Sequence, residues 1–441
     1  MPLHARQAGA AIVAVALLAA PALWNGFPLL QHDTGGYFAR WYEGTLEASR
    51  STVYGLFLVA LARPDFWPAV LVQAVLAAWV LALTLRLHAP AGRRSGLLPT
   101  IAVLSVATAL PWLASLLLTD LFAGVAVLAL HLVVFRWDAL RRSERTGLVL
   151  LLAFAAATHS ATLAVLIVLA AAGVLAAPLQ LAPWAGLARA AGALALSAAL
   201  LVAANAVVAG RLAWTPGGIA LAFGRMLQDG LVERYLAERC PDASLRLCAH
   251  RHELPRDADV FFWGESVFDR LGRFAGLGDE MHRIVIESLR AYPAEQARAA
   301  AAAAARQLVL VSTGEGVVNS IWHTYAMIEQ FAAPAVPAMR TARQQQGGLD
   351  FSTINRIHVP VALGAMLALP FIVALGLWRK VDPAAARLAA TAALALLANA
   401  AVCGILSNPH DRYGARLAWI APFVVLLVLR SSVAPRSRPD G

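Results

Sequence analysis

Residues 190–209 read AAGALALSAALLVAANAVVA, twenty residues without a charge. As a helix rising about 1.5 Å per residue, such a stretch is about 30 Å long, the thickness of a bilayer's hydrocarbon core. A helix satisfies its own backbone hydrogen bonds, which lets it cross lipid where open strands cannot. Stretches of like composition recur at 9–28, 66–87, 97–118, 120–136, 146–158, 161–178, 357–378, 385–405 and 414–430. The sequence therefore predicts an all-α, polytopic membrane protein of about ten transmembrane helices.

Composition agrees. The chain has 441 residues, 60% hydrophobic and 14% charged, against about 25% charged in soluble domains. The net charge of +10 comes from arginines spread through short loops, so nucleic acid is not an expected partner. Arg93 and Arg94, the group Arg136, Arg141, Arg142 and Arg145, the pair Arg379 and Lys380, and Arg430, Arg436 and Arg438 fall in alternate loops. Those loops are expected in the cytoplasm, which places both termini there. The first segment, with His4 and Arg6 ahead of it, also suits a cleaved signal peptide.

The chain divides into 1–209 with about seven spans, a polar region at 210–355, and 356–441 with about three spans. Parity puts 210–355 outside the cytoplasm as a mostly helical extracytoplasmic region. Cys240 and Cys248, in CPDASLRLC, are expected to form a disulfide there, while Cys403 lies in an apolar run and reads as packing. AEQARAAAAAAAR at 294–306 reads as a helical spacer lying on that domain. Val53 to Ala62 is too short to cross a bilayer and suits an interfacial or re-entrant helix. The stretch 146–178 reads as two thin helices meeting at the outer face around Thr158, His159 and Ser160.

The unusual polar residues gather at the outer ends of the spans. LLQHDTGGYFARWYE (29–43) sets His32, Asp33 and Tyr37 at a membrane exit, where a carboxylate serves as a general base, holds a divalent metal, or caps the following helix. Asp120, in SLLLTDLFAG, would cost about 3 kcal/mol at a bilayer centre and is expected at an outer turn or paired, where as a helix cap it needs no function. His159 can meet a phosphate or be a satisfied core residue, and His131 reads as packing. SNPHDRYGARLAWIAPFVVL (407–426) opens the last span with His410, Asp411, Arg412 and Tyr413. There Arg412 either forks onto phosphate oxygens or anchors the helix with Tyr413. No HExxH, DxD, Walker or Rossmann pattern is present, so metal dependence stays open.

In this order the pieces resemble the GT-C superfamily of membrane glycosyltransferases: an acidic residue in the first outer loop (Asp33), an interfacial helix (53–62), a second acid opening the fourth span (Asp120), and a terminal span beginning HDRY (410–413). The position around THS (158–160) resembles the place where relatives carry a basic residue, with His159 here as a departure. RMLQDGLVERYLAERCPDASLRLCAHRHELP and VFFWGESVF resemble a group of bacterial membrane proteins and imply nothing about an acceptor.

The resemblance implies transfer of a sugar from a polyprenyl-phosphate carrier to an extracytoplasmic acceptor. Asp33 and Asp120 would be catalytic, with or without a divalent metal. His32, Tyr37, His159, His410, Arg412 and Tyr413 would bind substrate, and the partners would be a lipid-linked donor and membrane lipids. Three other readings remain open. One is a lipid-carrier polysaccharide polymerase or ligase working through Arg225, Arg234, His250 and Arg251; the others are a transporter and a non-catalytic assembly factor.

Overall fold

A computed structural model describes residues 3–88 and 96–432. Arg93, Arg94, Arg436 and Arg438 lie outside the described residues. Among those described there are helices and loops but no strand.

The first half contains α1 (Leu3–Asn25), α2 (His32–Glu43), α3 (Thr52–Ala60), α4 (Trp67–His88), α5 (Leu97–Ala107), α6 (Leu110–Ser115), α7 (Asp120–Phe135), α8 (Arg142–Thr158), α9 (Ser160–Ala176) and α10 (Trp184–Ala209). The middle holds α11 (Ala222–Gln228), α12 (Leu231–Arg239), α13 (Ala258–Trp263), α14 (Val267–Arg270), α15 (Arg273–Ala291), α16 (Pro293–Val309), α17 (Trp322–Phe331) and α18 (Val336–Thr341). The chain ends in α19 (Ser352–Leu377), α20 (Pro383–Leu406), α21 (Asp411–Ala418) and α22 (Ile420–Ser432).

Seven of the described segments are long and apolar enough to cross a membrane: Ala8–Asn25, Trp67–His88, Ser160–Leu179, Trp184–Ala209, Ser352–Leu377, Pro383–Leu406 and Asp411–Arg430. The run expected as one span at 97–118 is instead two short helices. Thr108 separates them, its hydroxyl donating to Leu104 O (2.6 Å) and accepting from Leu110 N (3.3 Å), and Pro111 opens the second. A hydroxyl that offers the backbone an alternative partner is a common way to end a helix.

The polar region has two parts. Residues between Ala220 and Tyr292 enclose their own core, with Phe223, Phe261 and Phe268 fully buried. Val317, Ile321, Ile328 and Met339 belong instead to the core of the spans. The alanine-rich α16, expected to lie on its own domain, runs chiefly along α20. Small side chains permit that approach, and Gly404 faces the Ala303 carbonyl so closely that a Cβ would stand 2.8 Å from it.

Cys240 and Cys248 are disulfide-bonded. Closing this short loop restricts the unfolded chain, so Cys240→Ser with Cys248→Ser is expected to weaken the 220–292 unit by about 2–3 kcal/mol. The check is urea-dependent proteolysis of that unit in the full-length protein, where an unchanged midpoint would contradict it.

Candidate active site at the span ends

The site is built from three segments far apart in the chain. The first is the turn into α2. Gln31 is its N-cap: its side chain accepts from Asp33 N (2.7 Å), while Thr34 Oγ1 accepts from Gln31 N (3.1 Å). Asp33 therefore does not cap the helix, and its carboxylate is free for other partners. The second segment is the loop before α7. It is stitched to the first by Leu29 N to Ser115 O (2.9 Å), Leu117 N to Leu29 O (3.0 Å) and Thr34 Oγ1 to Leu117 O (3.0 Å). These bonds fix Asp33 beside Asp120. The third is the start of α21, clasped by Gln307, which donates to His410 O (2.8 Å) and accepts from His410 N (2.9 Å).

Arg412 joins all three. Its Nη1 donates to Asp33 Oδ2 (2.7 Å) and its Nε to Asp120 Oδ2 (2.8 Å). Arg50 holds the other Asp33 oxygen, Nη2 to Oδ1 at 2.5 Å. The Asp120 side chain is 1% exposed and Asp33 18%, so of the two carboxylates only Asp33 is reachable from outside. Asp120 Oδ1 has no hydrogen-bond partner among the described residues. Burial raises the Asp33 pKa, but Arg50 and then Arg412 overcome it and hold the carboxyl well below the usual carboxylate range.

The other expected residues take distinct places. Tyr37 is fully buried beneath Arg50, whose guanidinium lies 5.6 Å from the ring centroid. Burial first, then the Asp33 charge, pushes its phenol up to about 12, so it stays protonated. His159 N-caps α9, its Nδ1 accepting from Ala161 N (3.2 Å). Nε2 is therefore the protonated nitrogen of a ring that burial and the arginines Arg416, Arg412 and Arg50 keep neutral. Its bonds do not include Asp33, Asp120 or Arg412, although all but Asp120 act on it electrostatically. His32 is exposed. Tyr413 flanks the cations, 5.7 Å from Arg412 and 5.9 Å from Arg416.

Several contributors were not singled out in the sequence. Arg50 read only as the boundary of a short apolar run. Arg416 is fully buried on the same helix face as Arg412, one turn on. Its Nε and Nη2 donate to Asn399 Oδ1 (2.9 and 2.7 Å), and no carboxylate pairs with it among the described residues. The spacing of four between two arginines in an apolar segment was the available signal. Glu315 stands between Gly314 and Gly316, both at positive φ (99° and 75°), where a side chain would be strained. That loop turns Glu315 onto Arg412 N (2.6 Å) and His410 Nδ1 (2.8 Å).

The site opens beside an apolar cleft lined by Leu29, Trp112, Leu113, Leu116, Val317 and Phe351, with Asp120, Glu315 and Arg412 at its polar end. As for a divalent metal, the guanidinium of Arg412 fills the space between the two aspartates. Among the described residues no group of three or more His, Cys, Asp or Glu is arranged to hold an ion. The residues present do not fit a metal.

His410 gives a pH prediction. Burial lowers its pKa, but Asp259 (3.3 Å from Nε2) and Glu315 (2.8 Å from Nδ1) override this and raise it to about 9. A group whose folded pKa is raised stabilises fully below its unfolded value, about 6.5, and loses that contribution as pH climbs through the folded one. The unfolding midpoint of the wild type is thus expected to fall between about pH 6.5 and 9. His410→Gln should flatten that limb, and an equal slope in both proteins would refute the assignment.

Protein-family models, curated proteins and solved structures were each searched for similarity to this chain, and none of the three comparisons returned a match.

Proposed function

We propose that this chain is a membrane glycosyltransferase of the GT-C type, moving a sugar from a polyprenyl-phosphate carrier to an acceptor hydroxyl on the extracytoplasmic side of a bacterial inner membrane. On this reading ten spans, some of them short or broken, place both termini in the cytoplasm and the triad at the outer surface. The observation that carries the reading is Arg412 bridging Asp33 and Asp120 at the end of an apolar cleft. A lipid-linked phosphate needs an apolar slot for its chain and a cation for its oxygens, and both meet here.

The resting ion pairs suggest how the site is switched on. Arg412 is fully engaged by carboxylates, and Asp33, held ionised by two arginines, is a weak base. A phosphate arriving from the cleft competes for Arg412 and for the Nε2–H of His159. As Arg412 turns to the phosphate, Asp33 loses a stabilising charge and becomes more basic. Asp33 then takes the proton of the acceptor hydroxyl and the acceptor oxygen bonds to the anomeric carbon. The bond from that carbon to the phosphate oxygen breaks, its electron pair leaving on the phosphate. Arg412 and the deeper Arg416 stabilise the charge that builds there.

The polymerase or ligase reading relied on Arg225, Arg234, His250 and Arg251. Arg225 is tied to Ile405 O, Asp229 and Gln296, Arg234 to Glu238, and His250 to Glu253. These separate local pairs favour the triad as the working centre. The deciding experiment measures release of polyprenyl phosphate from lipid-linked sugars by purified protein, beside Asp33→Asn. Equal turnover by the two would remove the mechanism.

A further inference from the structure

Helix α13 has two unlike faces. Phe261 and Phe262 are buried in the aromatic core of the 220–292 unit, packed on Phe223, Phe268 and Phe274. Asp259 and Trp263 are four residues apart, hence on one side of the helix, and that side faces the ion cluster. Asp259 Oδ1 accepts from Asn408 Nδ2 and its Oδ2 lies near His410 Nε2, both at 3.3 Å. The Trp263 indole lies 5.8 Å from the Arg50 guanidinium, and Arg50 in turn holds Asp33.

Burial makes this arrangement unusual. The side chains of Arg50, Arg412 and Asp33 are only 10, 12 and 18% exposed, yet Trp263 at their edge is 51% exposed. The indole borders Arg50 and the tilted Phe262 ring, 6.1 Å away between centroids, and leaves about half of its surface open. Arg50 and, four residues back on the same helix side, Asp259 with its partner Asn408 give this edge a charged and polar character. Helix α13 does not contribute to the apolar cleft, which opens around Asp120. The ion cluster therefore has an apolar approach through the cleft at Asp120 and Arg412, and an aromatic, hydrogen-bonding approach at Trp263 beside Arg50.

A sugar ring matches the second approach. Its axial C–H groups form an apolar, slightly positive face that meets the negative face of an indole. Its hydroxyls need carboxylate and amide partners such as Asp259 and Asn408 offer. We propose that Trp263, Asp259 and Asn408 form the acceptor subsite of this centre, and that the acceptor is a saccharide stacked on Trp263 so that one hydroxyl reaches Asp33. The inference rests on the glycosyl-transfer reading and names its acceptor class. The proton goes to Asp33, the acceptor oxygen bonds to the donor's anomeric carbon, and phosphate leaves with the electron pair.

Two measurements on the full-length protein in lipid nanodiscs test it. In the first, soluble pentasaccharides of glucan, galactan, mannan and arabinan, and a Ser/Thr-rich peptide, are titrated calorimetrically without donor. At least one saccharide is expected to bind the wild type and to lose about tenfold in affinity in Trp263→Ala, with most of it restored in Trp263→Phe. In the second, polyprenyl-phosphate release is followed against the concentration of that saccharide. Trp263→Ala should raise the acceptor KM about tenfold and leave the donor KM within about twofold. Binding of the peptide alone, no saccharide binding, or a change in donor KM instead would overturn the subsite. Saccharide binding that depends on Trp263, without any polyprenyl-phosphate release, would sink the transferase reading and leave the subsite standing.

Discussion

Arg412→Ala is expected to be the most damaging single substitution in this protein, to stability as well as turnover. Asp120 is almost wholly buried, and among the described residues Arg412 Nε is the one side-chain donor to its carboxylate. Removing one member of a buried ion pair leaves a naked charge and costs about 3–5 kcal/mol. Adding Asp120→Asn should return a large part of that loss, because an amide tolerates the vacated site far better than an ion does. Lysine is not an adequate replacement: a point charge cannot fork to Asp33 and Asp120 together. Thermal unfolding of Arg412→Ala, Asp120→Asn and the double variant in one detergent checks this. A coupling energy near zero would mean that the two side chains do not depend on each other.

Asp33→Asn carries the second large expectation, and here turnover should collapse while stability falls by less than in Arg412→Ala, since Arg50 loses its carboxylate partner but no buried charge is left without a cation. The substitution keeps shape and removes the charge. Asp33 is partly open, Arg412 keeps Asp120, and Arg50 keeps its place over the Tyr37 ring. On the proposed mechanism, loss of the general base lowers rate by about 10²–10⁴-fold, so polyprenyl-phosphate release should fall by that order, with an unfolding midpoint between those of the wild type and Arg412→Ala. Asp120→Asn tests the division of labour. Its oxygens are too deep to meet an acceptor, so its effect should arise through Arg412 and appear mainly as weaker donor binding. If Asp120→Asn abolished release and Asp33→Asn did not, the roles assigned to the two carboxylates would be reversed.

The choice of Asp33, Asp120 and Arg412 as candidates came from local reasoning: each is an ion where an apolar run ends, and ions at such places need a partner or a purpose. Reading His159 as a phosphate ligand rested on the same logic, yet its Nδ1 is spent capping α9 and only Nε2 remains free to act. Tyr37 was expected at a membrane exit in contact with substrate, and it lies under Arg50 with no exposure. Arg50 itself was passed over because a loop arginine beside an apolar run looks the same whether it orients a helix or holds a catalytic carboxylate.

Residue order alone suffices to read a helical membrane protein and to find the ions at the ends of its apolar runs. Transfer into lipid is a sum over neighbouring residues, and 1.5 Å of rise per residue turns a run length directly into a thickness. Which of these ions meet follows from the packing of the helices. Asp33 and Arg412 are 379 positions apart, and Glu315 and Trp263 come from a polar region with no periodic signal. An ion pair is fixed by the few ångströms between two atoms, and that distance depends on how all the intervening helices pack.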